Sequence, residues 1–281
     1  MKRIKKILPL FLICVILAGC KGKDSATGNM EEIRPPQTGD VYAEITFRDF
    51  DGKLTFVLFE DIAPVGVKEF IESAENGYYD GKTFHRVLKD ALVQGGALNI
   101  DGSDPATIPE KELFEIETHK NARNFNGALC YATHEKSGMN YKQFYIVTAS
   151  KSIDIDEEVA KIDEFLENPA SEILPQNERR EYEQRRKALS GMSKAAKERY
   201  SQIGGIPSLD GNVTVFGQLI TGQELLEEIS KVEVIAGNKL DDYNTALGNG
   251  DGQFSRPAEE IYIEKVEIIR YEAESTRQSR R

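Results

Sequence analysis

The sequence predicts a mixed, β-rich fold rather than a series of βαβ units. Two alternating, strand-like runs are joined by a tight Asp51-Gly52 turn, and one amphipathic helix follows them directly. Strand signals then return after a long helical stretch, beyond Gly204-Gly205. A hairpin of this kind places neighbouring strands antiparallel, whereas parallel strands need a long crossover between them.

Ala43, Ile45 and Phe47 alternate with Tyr42, Glu44 and Thr46, which is strand period, and Leu54–Phe59 reads as the second arm of the hairpin. Pro64 sits where a first helical turn tolerates it, and Val67, Phe70, Ile71 and Ala74 form one apolar stripe. Asn76-Gly77 ends that helix with residues suited to a left-handed cap. Residues 151–202 read differently. Seven acidic residues and one lysine occupy 154–167, and eight basic and four acidic residues occupy 177–200. Both stretches look helical, with Tyr182, Leu189, Met192, Ala196 and Tyr200 along one side of the second. Their opposite charges fit an antiparallel pair with complementary faces; two solvated helices that do not touch is the alternative. Neither reading gives the segment chemistry. Val213–Phe216 is a short strand, Gln223–Ile229 a helix, and Ile261, Ile263, Val266, Ile268 and Ile269 mark a closing strand. The stretch 236–257, rich in Gly, Asn and Asp, fails as a calcium loop because Leu247 and Ala258 stand where ligands are required, so it is read as a loop.

Composition narrows the class of function. The chain has 281 residues and a net charge of −11, with 30 % charged and 40 % hydrophobic residues. That excludes a multi-span membrane protein and a wholly disordered chain, and the acidic balance argues against nucleic acid, which needs a basic face. Only Cys14, Cys20 and Cys130 occur, with no Cys/His cluster at metal-ligand spacing, so no metal site and no disulfide framework is expected.

The first residues set an expected address. Lys2, Arg3, Lys5 and Lys6 precede an uncharged run from Ile7 to Gly19, the layout of a secretory signal peptide and too short to span a bilayer. Leu17-Ala18-Gly19-Cys20 resembles the lipobox of bacterial lipoproteins, which implies a signal peptide over 1–19 and a lipid on Cys20; the alternative is an ordinary signal peptide with a chance cysteine. Loss of the four basic residues would take the net charge from −11 to −15. Residues 20–40 read as a flexible tether, 41–271 as the folded domain, and 272–281 as a polar tail. The protein is therefore expected outside the cytoplasm, lipid-anchored at the cell surface or in a periplasm.

The chemistry rests on 77–96, GYYDGKTFHRVLKDALVQGG, with Phe84-His85-Arg86-Val87 and Gln94-Gly95-Gly96. Further on come Gly127-Ala128-Leu129, Gln143-Phe144-Tyr145-Ile146, Leu209-Asp210-Gly211 and Val215-Phe216-Gly217. In this order the motifs resemble the cyclophilins, a family of peptidyl-prolyl cis/trans isomerases, over about 41–150 and 203–271. The resemblance implies a mainly β fold: a closed eight-stranded antiparallel barrel capped by two helices, about 64–75 and 223–230, with 151–202 as a helical insertion. It also implies that Arg86 acts on the prolyl nitrogen and that Gln94 orients it. Leu92, Tyr145 and Leu209 would line the proline pocket, Ala132 and Thr133 would bond the peptide backbone, and Gln143 joins the substrate-binding set. Several positions depart from the family. Ala91 stands where a pocket phenylalanine is usual, Tyr145 replaces another, Thr133 replaces asparagine, Ser208 replaces tryptophan and Val213 replaces histidine. Ala91, Ser208 and Val213 favour a rival reading as a catalytically weak peptide- or partner-binding lipoprotein, and Ser208 implies weak binding of cyclosporin. The expected partners are proline-containing segments of exported proteins and a membrane reached through the lipid anchor. A monomer is expected, with no cofactor, no metal and no nucleic acid.

Overall fold

The computed structural model describes residues 36–100, 102–103, 107–134, 137–235 and 255–272. The expected leader, Cys20, the expected tether up to residue 35, most of the stretch 236–257 and the residues beyond 272 lie outside the described residues.

Eight strands form the wall: β1 Val41–Phe47, β2 Lys53–Leu58, β3 Thr83–Leu88, β4 Leu92–Gly95, β5 Ala128–Thr133, β6 Asn140–Val147, β7 Val215–Thr221 and β8 Ile261–Arg270. They close into a barrel in the order β1-β2-β7-β5-β6-β4-β3-β8, with every pair antiparallel. Closure removes free strand edges and leaves side chains to fill the interior. Ile45, Leu54, Phe56, Phe84, Val93, Leu129, Phe144, Ile146, Phe216 and Ile263 are wholly buried there. Gly95 is required by that packing, since a Cβ at this position would stand 2.1 Å from the Phe84 ring. In β8, Ile263 and Val266 both face inward although three residues apart. The register with β1 shifts between Thr46, opposite Lys265, and Phe47, opposite Ile263.

Among the described residues, five α-helices accompany the barrel: α1 Pro64–Glu75, α2 Ile155–Glu167, α3 Gln176–Ser190, α4 Lys194–Ile203 and α5 Gln223–Ser230. The two capping helices stand where they were expected. In α1, Phe70 packs against the Tyr79, Phe144 and Phe216 rings at 5.1–5.7 Å. No side chain caps α1 from its own N-cap, Ala63; instead the Glu117 carboxylate accepts the Val65 and Gly66 N–H groups at 3.1 and 2.7 Å.

Three elements differ from expectation. The stretch 177–200 is two helices, because the chain turns at Gly191 and Ser193 starts α4 by accepting the Ala196 N–H at 3.0 Å. The strand expected at Val213–Phe216 runs from Val215 to Thr221, with Val213 half-buried before it. The folded unit also begins before Val41. Gly39 N–H donates to the Tyr271 carbonyl and Tyr271 N–H to that of Asp40, which pins 37–40 beside the end of β8. As for the charged helices, α2 and α3 do touch, through Arg186 on Asp163, Arg185 on Glu158 and the Phe165 and Tyr182 rings at 4.6 Å. Among the described residues no helix is long and apolar enough to cross a membrane.

Candidate active site on the barrel wall

On a strand, alternate side chains share a face. Cross-strand pairing sets Arg86 of β3 beside Gln94 of β4, and Gln94 beside Tyr145 of β6. Val87, Val93 and Ile146 occupy the next row and point into the core, so Arg86, Gln94 and Tyr145 lie on the outer wall. Gln143 shares that wall, two residues from Tyr145. Hydrogen bonds link the row: Arg86 Nη1 donates to Gln94 Oε1 at 2.9 Å, Gln94 Nε2 to Gln143 Oε1 at 2.9 Å, and Gln143 Nε2 to the Gly102 carbonyl at 3.1 Å.

Arg86 is the unusual member. Its Nε and Nη2 are buried and find no acceptor among the described residues. Burial pushes its pKa down to about 10. A desolvated guanidinium with two uncommitted donors is a strong site for an acceptor that arrives with a ligand.

Tyr145 is fixed from behind. Its hydroxyl donates to Asn124 Oδ1 at 3.0 Å, and burial holds its pKa well above the ordinary phenol value. Asn124 in turn donates through its backbone N–H and Nδ2 to Asp210 Oδ1 at 2.8 and 3.2 Å. Asp210 also takes Arg123 at 3.2 Å and the Tyr200 hydroxyl at 2.9 and 2.8 Å. Burial is the largest influence on the Asp210 carboxyl and raises its pKa, against the opposite pull of Asn124, Arg123 and Tyr200. Tyr200 comes from α4, inside the insertion to which no chemistry was assigned. Cys130, expected as a small buried hydrophobe, is fully buried but also points its thiol at Asn124 Oδ1, 3.4 Å away.

Arg86, Gln94 and Gln143 are thus joined directly, with Tyr145 paired to Gln94. Leu92 is buried on β4, two residues from Gln94, and Ala91 is half-buried at the turn before it. Leu209 ends a short 3-10 turn, Pro207–Leu209, next to Asp210 and so is tied to Tyr145 through Asn124. Ala132 and Thr133 lie farther along β5, where its register with β6 shifts between Tyr131 and Thr133, and no bond joins them to the Arg86 row among the described residues. Sequence reasoning missed Asn124 and Tyr200. Asp210 stood within the Leu209-Asp210-Gly211 motif without a role of its own. Among the described residues no group of three or more His, Cys, Asp or Glu is placed to hold a metal.

The molecule is thus a closed antiparallel barrel with a buried arginine, two of its donors unpaired among the described residues, on the outer wall. The sequence profile of the cyclophilin type peptidyl-prolyl cis-trans isomerase/CLD family matches residues 42–267, and the chain belongs to that family. A curated relative from Staphylococcus saprophyticus, provisionally named a peptidyl-prolyl cis-trans isomerase, is 34 % identical over 218 residues, covering 78 % of this chain and 87 % of its own. One from Staphylococcus epidermidis with the same provisional name is 37 % identical over 188 residues, covering 67 % of this chain and 81 % of its own. Among solved structures, a Cryptosporidium parvum cyclophilin crystallised in the presence of the dipeptide Ala-Pro matches at a TM-score of 0.50 and 20 % identity. It covers 81 % of this chain and 98 % of that one, a likeness of fold.

Proposed function

We propose that this chain catalyses cis/trans isomerisation of X-Pro bonds in exported polypeptides, held outside the cytoplasm by a lipid on Cys20. The observation that carries the catalytic reading is Arg86, with one nitrogen fixed by Gln94 and two buried donors uncommitted. Rotation about a peptide bond faces about 18–20 kcal/mol because the nitrogen lone pair is delocalised into the carbonyl. As the bond twists, that lone pair localises on nitrogen and becomes an acceptor. A guanidinium donor fixed beside it stabilises the twisted state more than either planar one. No proton changes hands and no bond breaks. Gln94 holds the guanidinium in place, with Gln143 braced behind it. Leu92, Tyr145 and Leu209 offer the apolar wall for the proline ring, and Ala132 and Thr133, at the end of β5 past its strand pairing with β7, the backbone groups for the peptide.

The test is cis-to-trans isomerisation of an X-Pro peptide by the purified chain beside Arg86→Ala. Loss of one preorganised donor costs on the order of 100-fold in rate, so that drop is expected in kcat/KM. An equal rate in the variant would sink the catalytic reading. Ala91 and Ser208 favour the rival reading, in which the barrel binds proline segments without useful turnover. A folded wild-type chain that binds but does not isomerise would establish it.

The envelope location is supported by the basic start, the apolar run and the Leu17-Ala18-Gly19-Cys20 sequence. Mass analysis of the protein from cell membranes should find the chain starting at a lipid-modified Cys20, and Cys20→Ser should release it from the membrane fraction. An unmodified Cys20 in a retained chain would overturn that part. A mature net charge of −15 would hold the domain off anionic lipid and leave it facing its clients.

A further inference from the structure

A second concavity lies where the inserted α4 and the capping helix α5 meet the barrel. It encloses about 410 Å³, and its lining includes Asp90, Asn126, Thr148, Arg199 and Gln218. Asn126, Thr148 and Gln218 are only 8, 7 and 2 % exposed. Yet Asn126 Oδ1, Thr148 Oγ1, Gln218 Oε1 and Arg199 Nε have no hydrogen-bond partner among the described residues. The orientation of the Gln218 amide is set, because its Nε2 donates to the Asn126 carbonyl at 2.8 Å, which leaves Oε1 as a bare acceptor. Arg199 lies over the Phe125 ring at 5.7 Å and pairs with no carboxylate among the described residues. Buried polar groups are ordinarily satisfied, so four unsatisfied ones on residues that line one cleft point to a ligand.

The chemistry of the lining narrows that ligand. Two amide oxygens only accept, a guanidinium only donates, and a hydroxyl does either. A phosphate would face the amide oxygens, and a metal ion would face Arg199. An extended polypeptide backbone offers N–H and C=O groups in alternation and suits both. The position of the cleft supports the same occupant. Thr148 N–H donates to the Ala91 carbonyl at 2.8 Å, and Asp90 lies four residues before Gln94 on the same hairpin. Four extended residues at about 3.3 Å each bound that separation, so the cleft edge at the Asp90 turn stands within about 13 Å of Gln94, a span an extended peptide covers in four residues or fewer.

We propose that this cleft is an exosite for the backbone of the same client chain, a few residues from the proline held at Arg86. The proposal rests on the isomerase reading. It also gives the insertion a role, because α4 supplies the cationic wall of a site that rewards long, extended substrates over short ones.

The experiment compares kcat/KM of the full chain for an X-Pro tetrapeptide and for the same core extended by about eight proline-free residues on each side. The extended peptide is expected to be better by about fivefold, the yield of one or two added hydrogen bonds. Arg199→Ala and Gln218→Ala should bring the ratio of the two values toward one, while Lys68→Ala on the solvent face of α1 should keep it. Fluorescence anisotropy of the proline-free extension alone gives a second readout: binding to the wild type, and loss of binding in Arg199→Ala. Turnover of the tetrapeptide with no length preference and no binding of the extension overturns the exosite and leaves the isomerase reading intact. Failure to turn over either peptide overturns the isomerase reading, and the anisotropy result then decides the cleft by itself.

Discussion

Arg86 also sets the pH dependence of the reaction. Burial lowers its pKa to about 10, so the guanidinium is fully charged below that value and loses its proton only as the pH rises through it. The twist needs no titrating acid or base, so kcat/KM should be flat from about pH 6 to 9 and fall toward pH 10. A profile with an inflection near the ordinary histidine value of about 6.5 would place a proton transfer in the reaction and contradict this account. Ala91 supports a prediction of opposite sign. Restoring a phenylalanine ring at this half-buried turn would add apolar surface against the proline, worth about 1–3 kcal/mol. Ala91→Phe should therefore raise kcat/KM for tetrapeptides, and an unchanged or lower value would mean that Leu92 and Tyr145 already close the pocket. Arg86, Gln94 and Tyr145 were legible in the sequence through the motifs that resemble the cyclophilins, and the structure sets them in one row by cross-strand pairing. Asn124 was not, because its role depends on meeting Asp210, 86 residues away.

At the scale of elements, Tyr200 hydrogen-bonds the insertion to the network behind Tyr145. Tyr200 donates to both oxygens of Asp210, and Asp210 holds Asn124, which accepts from Tyr145. The chain must pass closely here: at Gly205, φ is +141° and a Cβ would stand 2.3 Å from the Asn124 carbonyl and 2.7 Å from the Tyr200 ring. Tyr200→Phe keeps the ring against Phe125, at 4.5 Å, and removes only the donor. A hydrogen bond to a charged, buried group is worth about 1.5–3 kcal/mol, so the urea midpoint should fall accordingly with an unchanged slope. Turnover should fall with it, as Asn124 and Tyr145 loosen. Unchanged stability would mean that Arg123 and Asn124 hold Asp210 unaided. The helical character of 151–202 was readable from its composition and its apolar stripe. The break at Gly191 and the landing of Tyr200 on a barrel carboxylate were not, since helical periodicity states which residues face inward but not what they meet.

For the whole molecule, the question is whether insertion and barrel unfold as one unit. The α4 helix buries Ala196 and Tyr200, and the Tyr200 hydroxyl reaches Asp210 on the barrel side, while the Ile153 N–H donates to the Tyr200 carbonyl and ties the two ends of the insertion together. By contrast, α3 buries only Leu189. It rests on α2 through exposed ion pairs, Arg186 with Asp163 and Arg185 with Glu158, and the Phe165 and Tyr182 ring contact. Exposed pairs of this kind contribute about 0–1 kcal/mol each and weaken in salt. Local openings below the global unfolding free energy concentrate where few apolar groups are buried. Native-state hydrogen exchange should therefore show α3 amides opening well below the global free energy, and faster still in about 1 M salt, where the screening length drops to about 3 Å. Amides of α4 should exchange together with β5, β6 and β7, because freeing them requires breaking Tyr200 from Asp210. If α3 and the barrel exchange at one common rate, the two arms of the insertion form one cooperative unit with the wall. If α4 opens with α3 while the strands stay protected, Tyr200 is not the tie that the structure makes it.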